Sequence, residues 1–256
     1  MPPNPPTPSA ETLLSADDIW LHAWFSFTSL SGRVLSRAPA GERVLLVENS
    51  VLRGDVLITQ PINLRAEPGA SLKGTLILGG GGGGARTASL WENEDRIYWL
   101  GHSGAGKTDR HRPSYNAAVG VIEGLTISHY SENAVIIRGG RWALVGCKIS
   151  ASSGKRTARG SAAIIIRDGA RVSLSDCSLS GAIESVCLDA APCVLEVHRC
   201  TFRDNREAII SLGGGPTVNV RECTFAENDN VFMLDDRVQG QATCNTIDCS
   251  GSMFGR

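Results

Sequence analysis

The chain predicts an all-β fold of stacked coils, closed at its N-terminal end by an α-helix, and three observations carry that reading. One short pattern recurs: Val172-Ser-Leu174-Ser-Asp-Cys177-Ser-Leu179, then Leu195-Glu-Val197-His-Arg-Cys200-Thr-Phe202, then Val218-Asn-Val220-Arg-Glu-Cys223-Thr-Phe225, with the cysteines 23 residues apart. A fixed period of this size marks a stacked repeat. The 256 residues include 29 glycines and few aromatic side chains, which suits many tight turns. Within each copy the apolar positions change parity, from −5 and −3 relative to the cysteine to 0 and +2. The faces of one strand alternate strictly, so a corner must fall at −2 and −1.

Residues 1–14 form a proline-rich segment, Met1-Pro-Pro-Asn-Pro-Pro-Thr-Pro at its start, and read as a solvated tail. Residues 15–39 are expected to be a capping helix and linker. Ser15 can cap it, with Asp18 in the first turn, and Ile19, Trp20, Ala23, Trp24, Phe27 and Leu30 make one apolar face. A stack of coils has an open end whose strand edges need covering, and the helix is placed there.

Residues 40–256 form the coil domain. Between 40 and 78 short apolar pieces (Val44–Val47, Val56–Ile58, Ile62–Leu64, Leu76–Leu78) alternate with Gly41, Gly54, Pro61, Gly69 and Gly74. Six glycines from Gly79 then open an insertion over 79–116, which carries Trp91 and Trp99. The coils resume at Gly120, with Leu125 and Cys147 in the position of the later cysteines. The coil after Cys147 holds about seven extra residues, Gly154 to Gly160. A weak last copy surrounds Asn245 and Ile247.

Each coil contains a second apolar piece: Val135–Ile137, Ile164–Ile166, Val186–Leu188, Ala208–Ile210 and Val231–Leu234. Turns are expected at Asn133, Asn205, Asn228 and Gly213–Gly215. Short strands joined by corners, with no room for a helix, make a single-stranded right-handed parallel β-helix. The offsets also fit a leucine-rich repeat, but the leucine required at −8 is Gly169, Pro192 or Gly215.

The segment Gly41 to Gly69, with Gly124-Leu-Thr-Ile127 and the Cys-Thr-Phe coils, resembles right-handed parallel β-helix domains of the carbohydrate-binding-and-sugar-hydrolase type. That superfamily includes polysaccharide lyases, hydrolases and epimerases. It also includes non-catalytic recognition domains, as in certain F-box and SHC-binding proteins, and this chain is more similar to those. The resemblance covers about 200 residues and implies a fold rather than one activity.

The expected function is a non-catalytic scaffold or recognition module that binds a protein partner, or joins a larger assembly, through a lateral face or inserted loops. The basic loop residues Lys155, Arg156 and Arg159 and the aromatic Trp91 and Trp99 are the binding residues proposed on sequence grounds. The alternative is a polysaccharide-binding or polysaccharide-cleaving β-helix, which needs paired carboxylates or a base with a cationic neutraliser. Asp176, Asp189, Asp204, Glu207, Glu222 and the Asp235-Asp236 pair are available acids; Arg138, Arg167, Arg199 and Arg221 are available cations. A third reading is nucleotide binding at Gly101-His-Ser-Gly-Ala-Gly106-Lys107-Thr108, a string that elsewhere cradles phosphate. Pro113, however, stands where the helix it requires would continue.

Neither a catalytic residue, a metal site nor a cofactor is expected. The net charge of −1 offers no basic excess for nucleic acid, and no run of 18 apolar residues spans a membrane. The N-terminus has neither the basic region nor the apolar core of a secretory signal. Of eight cysteines, four recur at one repeat position, which reads as buried free thiols in a reducing, intracellular and cytoplasmic setting.

Overall fold

A computed structural model describes residues 20–22 (backbone only), 35, 40–79, 119–128, 130, 132–151, 162–189 and 192–249. These residues form 24 short strands in three wholly parallel sheets. The first sheet holds nine strands: Trp20–His22, Arg43–Leu46, Asn63–Ala66, Val119–Glu123, Arg141–Val145, Arg171–Ser175, Val194–His198, Thr217–Arg221 and Gln239–Thr243. The second holds eight strands, from Val51–Arg53 to Thr246–Asp248, and the third seven, from Val56–Ile58 to Asn230–Met233. Past the first strand, sheet neighbours are always three strands apart in sequence, so each coil gives one strand to each sheet. Seven coils are complete and an eighth shows two strands. The leucine-rich alternative, with its helical half-repeat, is excluded over these coils.

The parity switch has a compact cause. The corner between the first and second sheets is made by one residue with left-handed backbone: Asn49, Gly69, Gly124, Gly146, Asp176, Arg199, Glu222 and Cys244, with φ between 50° and 79°. Position −2 still belongs to the strand, so the corner is one residue narrower than the sequence pattern implies. Glycine takes this conformation freely, whereas arginine and glutamate hold it at a cost of about 1 kcal/mol each.

One residue later the side chain turns inward and serves the preceding coil. Cys177 N–H donates to Cys200 Sγ (3.3 Å), Cys200 N–H to Cys223 Sγ (3.4 Å), and Cys223 N–H to Asn245 Oδ1 (2.9 Å). The cysteines are thus more than filler: their sulfurs accept N–H groups that the corner turns away from the sheets. All eight cysteines are free thiols. Hydrogen bonding with Cys177 and burial push the Cys147 and Cys200 thiols up, which keeps them protonated.

The corner between the second and third sheets works the same way with asparagine. Asn205 and Asn228 are buried. Ala182 N–H donates to Asn205 Oδ1 (3.1 Å) and Asn205 N–H to Asn228 Oδ1 (3.0 Å). In return Asn205 Nδ2 donates to the carbonyl of Leu179 (3.2 Å) and Asn228 Nδ2 to that of Phe202 (2.9 Å). Asn133 accepts from Ala162 N–H at 3.0 Å. The expected turn residues are therefore interior brackets between coils.

The core is one continuous column of Leu, Ile, Val and Phe. Phe202 and Phe225 stack with centroids 4.9 Å apart and planes 9° apart; Phe232 meets Phe225 edge-on at 5.5 Å. Trp142 lies in register over Gly120, where a Cβ would run into its ring.

The N-terminal end differs from expectation where it is described. Trp20–His22 is a strand, not helix, and pairs in parallel with Arg43–Leu45. The open edge of the first sheet offers unpaired N–H and C=O groups, and a strand satisfies them directly where a helix cannot. The rest of the expected helix, apart from the buried Leu35, lies outside the described residues. Gly79 still belongs to the third sheet, and the chain returns to the first at Val119. The extra residues after Cys147 fall between Ala151 and Ala162, at the corner that leads into the third sheet.

Replacing Asn228 by alanine strands the Asn205 N–H and the Phe202 carbonyl in the interior. The expected cost is about 2 kcal/mol, read as a lowered urea midpoint with an unchanged m-value. A half-buried, outward-facing control, Asn219→Ala, should stay within about 0.5 kcal/mol of the parent protein.

Candidate functional site

The third sheet carries an unusual outer face. In six of its seven strands an apolar triplet has flanking residues that point into the core, so the middle residue points out; in the other, Ile210 stands between Ile209 and Ser211. The register aligns seven such residues in one column: Leu57, Ile77, Ile136, Ile165, Cys187, Ile210 and Met233. They are separate from the main core, and Ile165, Cys187 and Ile210 form a small second cluster with Ala162. Leu57 is 38 % exposed, whereas Ile165, Cys187 and Ile210 are buried. The triplets are legible in the sequence. Their outward middle residue was missed because a run of three apolar residues also fits a strand buried on both faces.

Charged columns border this one. On the side nearest the next first-sheet strand, Gly79, Arg138 and Arg167 stand in register, and Arg167 Nε lies 3.8 Å from Asp189 Oδ2. On the other side Ala162, Glu184, Glu207 and Asn230 stand in register. Glu184 and Glu207 are one coil apart, a spacing of about 4.8 Å between parallel strands. Burial, and then the charge of Glu207, raises the Glu184 carboxyl above its ordinary value. Burial and the nearby charge of Glu184 push the Cys187 thiol up to about 12. Glu184 was not among the acids singled out from sequence, although it repeats Glu207 at the 23-residue period.

The other sequence-proposed acids and cations do not converge. Asp176 and Glu222 sit at the corner between the first and second sheets, and Asp204 at the next corner, all with left-handed backbone. Asp176 accepts two hydrogen bonds from Arg199 (2.8 and 2.9 Å), which hold its carboxyl below the usual range. His198 Nε2 lies 3.0 Å from Glu222 Oε2, and Arg199 Nη1 is 3.1 Å from His198 Nδ1. Since arginine only donates, the neutral ring carries its proton on Nε2 and gives it to Glu222. Arg221 stands in register with His198 on the first sheet, away from Arg138 and Arg167. Arg203 pairs with Glu227 at 2.9 and 3.2 Å. Asp235 Oδ1 accepts from Arg237 N–H (2.9 Å), so this acid closes a turn.

Lys155, Arg156, Arg159, Trp91 and Trp99 lie outside the described residues, as do Gly101, Gly106, Lys107 and Thr108. Among the described residues no group of three or more His, Cys, Asp or Glu is arranged to hold a metal, and no helix is long and apolar enough to cross a membrane.

A raised carboxyl binds its proton more tightly in the fold than in the unfolded chain. It contributes stability below the unfolded carboxylate range, and that contribution is lost as pH rises through the folded value. Glu184→Gln is therefore expected to raise the melting temperature at pH 8 and to leave it nearly unchanged at pH 4. Paired thermal melts at the two pH values check this; a gain that is larger at pH 4 would contradict it.

Compared with known families, the chain matches the one described as right handed beta helix region, over residues 96–252. No curated protein and no solved structure matches it. The match spans more than half of the sequence and coincides with the coils that resume at Val119, so the chain belongs to the right-handed β-helix family.

Proposed function

We propose that this protein is a non-catalytic recognition module that binds another protein through the outer face of its third sheet. The observation that carries the proposal is the seven-residue apolar column on that face. Outward positions of a sheet are ordinarily polar; here the middle of the column, Ile165, Cys187 and Ile210, is already buried, and its partly exposed ends offer the apolar surface of a protein contact. Its partly exposed members, Leu57, Ile77, Ile136 and Met233, lie toward the two ends. The two longest departures from the coil period also flank this sheet. One leaves from Gly79 at the end of a third-sheet strand, and the other rejoins at Ala162 at the start of one. Recognition residues concentrate on such excursions from a rigid scaffold.

Two members of the column test the reading. A photo-crosslinking residue at Leu57 or Ile136 should give one discrete protein adduct in cells, while the same residue at Asn219, on the first sheet, should give none. Ile136→Glu should weaken the isolated complex at least tenfold, about 1.4 kcal/mol, with an unchanged circular dichroism spectrum. Equal adducts at all three positions would defeat the proposal.

The stacked Glu184 and Glu207 favour a second reading, a carbohydrate-active face, since paired carboxylates in unequal environments can divide acid and base roles. A glycan array with hydrolase and uronate-lyase assays decides between the two. Turnover abolished by Glu207→Gln would establish the enzyme and displace the recognition reading.

A further inference from the structure

The eighth coil is exposed along both its strands, Gln239–Thr243 and Thr246–Asp248. Among the described residues no strand pairs with its outer edge. Its inward side chains shrink: Gly240 follows Val218, Ala242 follows Val220, and Ile247 follows Phe225. Asn245 ends the cysteine column, accepting from Cys223 N–H and donating to the Val220 carbonyl at 3.3 Å. The seventh coil's core is thereby covered, while the eighth coil's own inward side chains and main-chain edge stay exposed.

Proteins usually guard such an edge with lysine, proline, a bulge or an inward charge. Along the first-sheet edge strand nothing of the kind stands: Gln239 to Thr243 contains no charged residue and no proline, whereas the second-sheet strand ends in Asp248. The opposite end is different. The edge of the first sheet is already taken by Trp20–His22, and the second-sheet edge strand Val51–Arg53 ends in Arg53, with Asp55 just beyond. Head-to-tail addition, first sheet onto first sheet, would therefore pair the five-residue Gln239–Thr243 with a strand of only three residues.

We infer that two copies of this chain pair tail to tail, with Gln239–Thr243 of one running antiparallel to the same strand of the other about a two-fold axis near Gln241. An uncharged polar edge meets itself without opposing or burying charge, and an isologous contact closes at two subunits. Gln241 stands in the outward column of Glu196 and Asn219, so its side chain faces its two-fold mate outside the core. This contact is separate from the outer face of the third sheet and does not depend on the function proposed for it.

Sedimentation equilibrium of the full chain should give about twice the 27.1 kDa subunit mass. Gln241→Lys and Gln241→Glu each place like charges opposite one another. Each alone should weaken the dimer at least tenfold with an unchanged circular dichroism spectrum, and an equimolar mixture of the two should restore it. Four results would overturn the inference: a monomer throughout the micromolar range, a dimer that neither substitution shifts, a mixture that stays monomeric, or an open-ended series of larger species. Hydrogen exchange separates the remaining occupant. A monomer whose Gln239–Thr243 amides are protected would show that the chain's own residues cover the edge.

Discussion

Each coil is held to the next by main-chain hydrogen bonds between parallel strands, and this pairing sets every residue over its counterpart one coil away. Whatever one coil does with a position, the next repeats or answers. Apolar residues become a column, a cysteine hands its sulfur to the amide below, and an asparagine brackets two coils. The cost of a misfit is likewise shared. Trp142 is accommodated because its neighbour in the column is Gly120, so a residue's freedom is set by the coil beside it rather than by its own sequence surroundings.

The same stacking organises the charges. At the corner between the first and second sheets, charges alternate in sign from coil to coil, Asp176 beside Arg199 and Arg199 beside Glu222, and Arg203 of one coil pairs with Glu227 of the next. These pairs are exposed and add little to stability; their effect is to disfavour a slipped register, in which like charges would meet. The outer face of the third sheet departs from this rule, since Arg138 stacks on Arg167 and Glu184 on Glu207. Like charges are thus tolerated in register beside the apolar column, as they are for Arg141 over Arg171 on the first sheet.

Much of the coil was legible in the sequence because it depends on local periodicity. The spacing of Cys177, Cys200 and Cys223 showed the period, and the shift of apolar parity showed the corner. What stayed hidden depends on direction rather than type. Ile165 and Ile166 are alike as letters, yet one faces the core and the other the outside. Asn205 and Asn228 look like ordinary turn residues, and only stacking turns them inward. Glu184 was overlooked because an acid beside an apolar run looks solvated until its neighbour in the next coil is known. At the N-terminus, Trp20 fits a helical apolar face, but an unpaired sheet edge overrode that preference for Trp20 to His22.

The single left-handed residue at each corner between the first and second sheets has a further consequence. It makes the coil a unit with identical joints, since the backbone arrives at Cys177, Cys200 and Cys223 in the same state each time. A segment running from one joint to the next can be excised or duplicated, and the chain on either side finds the partners it had before. Joining Cys177 to Thr201, for example, would set the strand beginning at Thr201 where Ser178 now begins, with columns of cysteine, asparagine and aliphatic residues rejoined. The length of this protein can therefore change in whole coils, while each sheet keeps one continuous outer surface that lengthens or shortens by one strand at a time.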